Sequence, residues 1–136
     1  MKPPMPRRGW PRWRRRVAKH KYHAKPTYFD GHWYGSAAEA HRAKQLNLLV
    51  AVREIETWKR QVTVKLVKGF KCRVDFLVTD IDGNEWYEDV KGMETQRSRD
   101  IKRLWEHHGP LPLVLLKRKG SGWTREFIER TPTAAV

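Results

Sequence analysis

Two aspartates interrupt stretches that otherwise read as apolar strand: Asp75, within Val74-Asp75-Phe76-Leu77-Val78, and Asp89, just ahead of Val90 and Lys91. A carboxylate on a buried strand is costly unless something compensates it, so such residues are kept for a reason. Their relative placement follows from the turn between them. If Ile81-Asp82-Gly83 is a three-residue loop with Gly83 left-handed, Asp80 pairs with Asn84 and Asp75 falls opposite Asp89. Cross-strand partners share a face, and the two-residue period of a strand puts Lys91 there too. A two-residue Asp82-Gly83 loop shifts the register by one and brings Glu88 onto the face of Asp75. The first register is preferred because it keeps the lysine beside the carboxylates and leaves Trp86, Glu88 and Val90 on the other face. Converging carboxylates bind Mg²⁺ or Mn²⁺, hard cations that take oxygen ligands and keep several waters. Such an ion polarises a phosphate oxygen, lowers the pKa of a bound water and stabilises a leaving alkoxide. Lys91 then holds or deprotonates the attacking water, or neutralises charge on the pentacovalent phosphorus. The competing reading is a structural salt bridge of the aspartates with Arg73 or Lys91.

Strands need partners, and the flanking sequence supplies them. Thr27 to Tyr34 carries four aromatics around Asp30-Gly31 and reads as a short hairpin. Ser36 and Glu39 form a capping-box signature, and Ala43, Leu46, Leu49 and Val50 give a helical stripe to about Arg53. Glu39 lies on the side of that stripe, so it is a third carboxylate pointing toward the sheet as well as a cap. Ile55 to Val67, Phe70 to Thr79 and Asn84 to Lys91 are predicted strands, Thr95 to His108 a second helix, and Leu113 to Leu116 a buried strand. Trp123 to Arg130 is compatible with either a helix or an edge strand. The order helix, three strands, helix, strand predicts an α/β fold with a single mixed β-sheet flanked by helices.

Charge points to the substrate. The 136 residues carry 29 Lys and Arg against 15 Asp and Glu, a formal net charge of +14, which calls for a polyanionic partner, nucleic acid first. No apolar run approaches the roughly 20 residues that span a bilayer, and the basic N-terminus lacks a signal peptide's apolar stretch, so a cytoplasmic protein is expected. The lone Cys72 cannot form an internal disulfide. Met1 to Thr27 holds no acidic residue but ten basic ones, among them Arg12, Arg14, Arg15, Arg16 and Lys19, with prolines breaking any regular pattern. Residues 1–26 therefore read as a basic DNA-binding arm and 27–136 as one domain. Trp10, Trp13 and Tyr22 either stack on exposed bases or dock the arm onto protein. Arg97, Arg99 and Lys102, with Arg103, line the polar side of the second helix, a solvated face or a track for DNA phosphates. The six histidines show no metal-ligand spacing, and one cysteine gives no zinc site.

Val74-Asp75-Phe76, an Asp-Gly turn and Glu88-Asp89-Val90-Lys91-Gly92 together resemble the core of the PD-(D/E)XK nuclease superfamily, with Val74 in place of the motif's proline. Asp30-Gly31, Ser36-Ala37-Ala38-Glu39, Gln61 and the Glu-Asp-Val-Lys-Gly run resemble, more narrowly, small phage-type nucleases related to Holliday junction resolvases. The resemblance spans about Tyr28 to Trp105. It implies the αβββαβ restriction-endonuclease-like core, with Glu39, Asp75 and Asp89 as metal ligands and Lys91 as the catalytic lysine. The expected activity is Mg²⁺-dependent cleavage of branched DNA in recombination, by a resolvase acting as a homodimer in the cytoplasm, the host's if the chain is phage-encoded. The alternatives are a nicking or restriction-type nuclease on linear duplex and a non-catalytic basic DNA-binding protein.

Overall fold

A computed structural model of the chain describes residues 24–131. Contacts divide the chain into two units that meet between Leu48 and Leu49.

The first unit opens on strands β1 (Thr27–Phe29) and β2 (His32–Tyr34), paired antiparallel as a sheet of their own. Asp30 and Gly31 at the tip have φ of 49° and 82°. Two left-handed residues in succession match the right-handed twist of a hairpin, and aspartate is one of the few non-glycine residues that tolerates the conformation. The cross-strand pair Tyr28 and Trp33 meets edge to face with ring centroids 5.4 Å apart. Helix α1 (Ala37–Ala51) starts at Ser36, whose Oγ accepts the Glu39 N–H at 3.1 Å, while Glu39 Oε2 accepts the Gly35 N–H at 3.3 Å. Ala40, Ala43 and Leu46 are buried along one stripe. The helix stops short of Arg53, which takes φ 61°; the Glu54 N–H returns to Leu49 O and the Arg53 N–H to Val50 O, a Schellman closure that satisfies the last carbonyls.

The second unit is a five-stranded sheet in spatial order β3 (Ile55–Val67), β4 (Phe70–Asp80), β5 (Glu85–Val90), β6 (Leu113–Lys119), β7 (Gly122–Ile128). All neighbours are antiparallel except β5 and β6, which helix α2 (Gln96–His108) joins as a parallel pair. Thr95 and Ser98 cap α2 reciprocally, each side chain accepting the other's backbone N–H, at 3.1 and 2.9 Å. The core beneath α2 gathers Val64, Leu66, Cys72, Val74, Leu113, Leu115 and Ile128 around Trp105. Trp105 is fully buried, stacks edge-on with Tyr87 at 5.4 Å and donates its indole N–H to Leu111 O at 2.8 Å. That bond removes the usual objection to sealing a tryptophan in a core. The segment after Gly122, open between helix and strand, is the edge strand β7; Gly120 at φ 61° lets the chain reverse onto β6. The described residues thus form an α/β fold with a five-stranded mixed sheet and two helices, in the predicted element order.

Candidate active site

The site begins with the turn that sets its register. The Asp80 N–H donates to Asn84 O at 2.8 Å, the Gly83 N–H to Asp80 O at 3.2 Å, and Gly83 has φ 89°. This is the three-residue loop rather than the two-residue one. Asp80 fixes it from within, its carboxylate accepting the backbone N–H groups of Asp82 and Asn84, both at 2.9 Å. Pairing then runs from Thr79↔Glu85 to Phe76↔Glu88, one step short of Asp75 and Asp89. Glu88 accordingly faces away from the aspartates; it is buried and accepts the Trp86 indole N–H at 3.0 Å.

The β4–β5 ladder ends at Asp75 and Asp89, and their side chains take over from it. The Asp75 N–H donates to Asp89 Oδ1 at 3.1 Å, and the Val90 N–H donates to Asp75 Oδ2 at 2.8 Å. Each carboxylate is therefore anchored on the opposite strand, and both sit in the fork where β4 and β5 part. A second irregularity accompanies this one. Val74 packs in the core under α2, whereas Phe76 pairs with Glu88, whose neighbour Tyr87 packs on Trp105. Strand β4 thus changes face across Asp75. On β3, Gln61 has φ 54° and drops out of a pairing that includes Arg60↔Phe76 and Val62↔Val74. A non-glycine residue held there costs on the order of 1–3 kcal/mol, and such strain concentrates at functional sites. Regular alternation, the premise of the sequence reading, misses this. The only trace in the sequence is the glutamine itself, noted above for its resemblance and not for its backbone.

Burial, and next the charge of Asp89, push the Asp75 carboxyl well above the ordinary carboxylate range; the Val90 N–H opposes the shift in part. The nearness of the Asp89 side chain adds to the upward push. Crowded acids of this kind share a proton until a cation replaces it.

Lys91 sits two residues beyond Asp89, its N–H bonded to Leu116 O at 2.7 Å. Asp89 and Lys91 both line a small cavity of about 40 Å³ under α2, with Cys72, Val74, Ile101 and Leu115. The lysine is thus on the expected face. Its ammonium, however, is buried without a hydrogen-bond partner, and the charges acting on it most strongly are those of Lys102, Glu94 and Glu126 rather than the aspartates. Burial first, and then Lys102, lower its pKa. No Lys91–carboxylate bridge ties the pair down.

Among the described residues, no group of three or more His, Cys, Asp or Glu side chains gathers as a metal cage. The Asp75–Asp89 pair still fits Mg²⁺, which is commonly held by one or two carboxylates with waters and substrate phosphate completing the shell. Glu39, in the first unit, is half-buried and serves as the cap of α1. Of the expected DNA contacts, Arg12, Arg14, Arg15, Arg16 and Lys19 lie outside the described residues, as do Trp10, Trp13 and Tyr22. On α2, Arg97 lies over the Phe70 ring at 5.3 Å and Arg99 bonds Gln96 at 3.1 Å, both exposed. Lys102 bridges Glu94 and Glu126 at 3.2 and 3.1 Å. No helix among the described residues is long and apolar enough to cross a membrane.

No curated protein and no solved structure matches the chain. A family model described as a protein of unknown function (DUF1064) matches residues 19–117, a span that holds Glu39, Asp75, Asp89 and Lys91. On that match, which covers well over half its length, the chain belongs to the DUF1064 family.

Proposed function

We propose that this protein is a metal-dependent endonuclease that hydrolyses phosphodiester bonds in DNA, branched DNA above all, with Asp75 and Asp89 as ligands of Mg²⁺ or Mn²⁺. The observation that carries the reading is the fork itself. Two carboxylates cross-anchored at the end of a ladder, with the Asp75 proton held abnormally tightly, form a site that a divalent cation relieves. A bound ion supplies Lewis-acid activation of water and phosphate. The chain's own residues do the rest: Asp75 and Asp89 fix the ligand oxygens, and Lys91, two residues on, places a cation for the phosphate that approaches them. The charge of +14 supports a nucleic-acid substrate. Resolution of a four-way junction further requires a two-fold dimer, which presents two such sites at fixed spacing.

The test is cleavage of a fixed junction, an equal-length linear duplex and a single strand, with and without Mg²⁺, mapped strand by strand. Junction cut symmetrically in two opposing strands is the expected result, abolished in Asp75→Asn and Asp89→Asn while junction binding persists. Equal cutting of junction and duplex removes the resolvase reading and leaves a general nuclease. No cutting with any divalent metal removes the enzyme and favours a basic DNA-binding protein, the reading that suits a site with only two gathered carboxylates.

A further inference from the structure

Beside the aspartate fork lies a second cavity of about 230 Å³, between the end of β5, helix α2 and the hairpin β6–β7; Asp75 and Asp89 do not line it, while Lys91 and Lys102 border both it and the smaller cavity that Asp89 lines. Three lysines border the larger cavity from three different elements: Lys91, Lys102 and Lys117. The register explains why they meet. Leu115 packs under α2 and pairs with Glu126, so the next residues on that face, Lys117 and its partner Thr124, project to the same side. Lys91 and Lys102 border the same cavity, and the Lys91 ammonium is buried with no hydrogen-bond partner. Lys102 is already shared between Glu94 and Glu126, the two carboxylates at the cavity. Both are therefore committed to Lys102, and neither hydrogen-bonds Lys91.

A buried, unsatisfied ammonium next to a second one is unfavourable in isolation and becomes favourable when an anion lies between them. The space is smaller than the roughly 300 Å³ from which pockets hold drug-sized molecules, so it suits one phosphate and part of its ester. We infer that the cavity bounded by Lys91, Lys102, Lys117 and Thr124 is a phosphate-binding site, distinct from the carboxylate pair. The phosphate comes either from a nucleic-acid backbone, where it neighbours the one attacked at the fork, or from a free phosphate or nucleotide. The inference does not need cleavage, and its test avoids it.

Titration calorimetry of the full chain in EDTA at matched ionic strength, with sodium phosphate, a deoxynucleoside 5′-monophosphate and a short single-stranded oligonucleotide, measures the site directly. Saturable phosphate binding is expected. Lys117→Gln, an exposed change that spares the core, weakens it about tenfold, the loss of one charge-assisted contact. Glu126→Gln tightens binding, because it frees Lys102 from a competing carboxylate; a purely structural ion pair predicts no such gain. Oligonucleotide binding tighter per phosphate than inorganic phosphate identifies a backbone as the source, and equal or tighter binding of the small anions identifies a free phosphate. Absence of saturable binding, or binding unchanged in both variants, overturns the inference. A protein that binds phosphate here but never cuts DNA keeps this site and loses the nuclease; one that cuts without binding phosphate does the reverse.

Discussion

Asp75→Asn is expected to make the metal-free protein more stable while destroying its activity. The amide is nearly isosteric: its oxygen can still accept the Val90 N–H, and its nitrogen can donate to Asp89 where a second acid stood. Two full charges about 4 Å apart repel by about 4 kcal/mol at an effective dielectric of 20. The wild type escapes part of this by retaining a proton, so a gain of about 1–2 kcal/mol at pH 8 remains, worth several degrees in melting temperature. The sign with pH follows from the raised pKa of Asp75. The folded state binds this proton more tightly than the unfolded chain, so the associated stability is complete below the unfolded aspartate pKa and is lost as pH rises through the raised folded value. The advantage of the asparagine variant must therefore grow from pH 5 to pH 8. Saturating Mg²⁺ reverses the order, since a ligand at a hundred times its Kd stabilises its binder by about 2.7 kcal/mol. The assay is thermal melting of both proteins across pH, in EDTA and in Mg²⁺. A variant that melts below wild type in EDTA at pH 8, or an equal Mg²⁺ shift in both proteins, refutes the reasoning.

Gln61→Gly should raise the melting temperature by relieving φ 54°, a gain of about 1 kcal/mol; a lower melting temperature would show the glutamine side chain outweighs its strain. Gly109→Ala should destabilise by at least about 2 kcal/mol, because a Cβ there collides with the ring and carbonyl of the buried Trp105, and denaturant unfolding measures it. Deleting residues 1–19 should leave cooperative melting intact while flattening the salt dependence of DNA binding by about 0.9 in slope per lost phosphate contact, as read from affinities at several salt concentrations. A truncated chain that no longer folds would assign the arm a structural role.

What could be read from the sequence was whatever short-range chemistry dictates. Asp-Gly at two tips, Ser36 with Glu39 and Gly109-Pro110 placed the turns and helix ends within a residue or two, and Gly83 fixed the register that sets Asp75 beside Asp89. Three things were not legible, the first two for long-range reasons. Across from the fork, Gln61 on a third strand is left-handed and drops out of the ladder, and nothing in a glutamine's chemistry announces that backbone. The surroundings of the Lys91 ammonium depend on Lys102 and Glu126, which α2 and β7 bring alongside it from elsewhere in the chain, and on Glu94 in the loop that follows it. Strand β7 stayed ambiguous because its residues are mostly exposed, which removes the apolar pattern that betrays a strand.

The amides of Asp75 and Val90 are guarded by carboxylates instead of carbonyls. A carbonyl acceptor is indifferent to pH and to cations; a carboxylate is neither. Hydrogen exchange at these two positions should therefore follow the charge state of the fork, while nearby amides held by backbone carbonyls, such as Tyr87 on Pro112 O at 2.8 Å and Lys91 on Leu116 O at 2.7 Å, report only on unfolding. Protonation, or a cation drawing on the same lone pairs, weakens the acceptor and quickens exchange there alone. The molecule thus carries its own occupancy gauge, readable residue by residue without DNA, without turnover and without a single substitution.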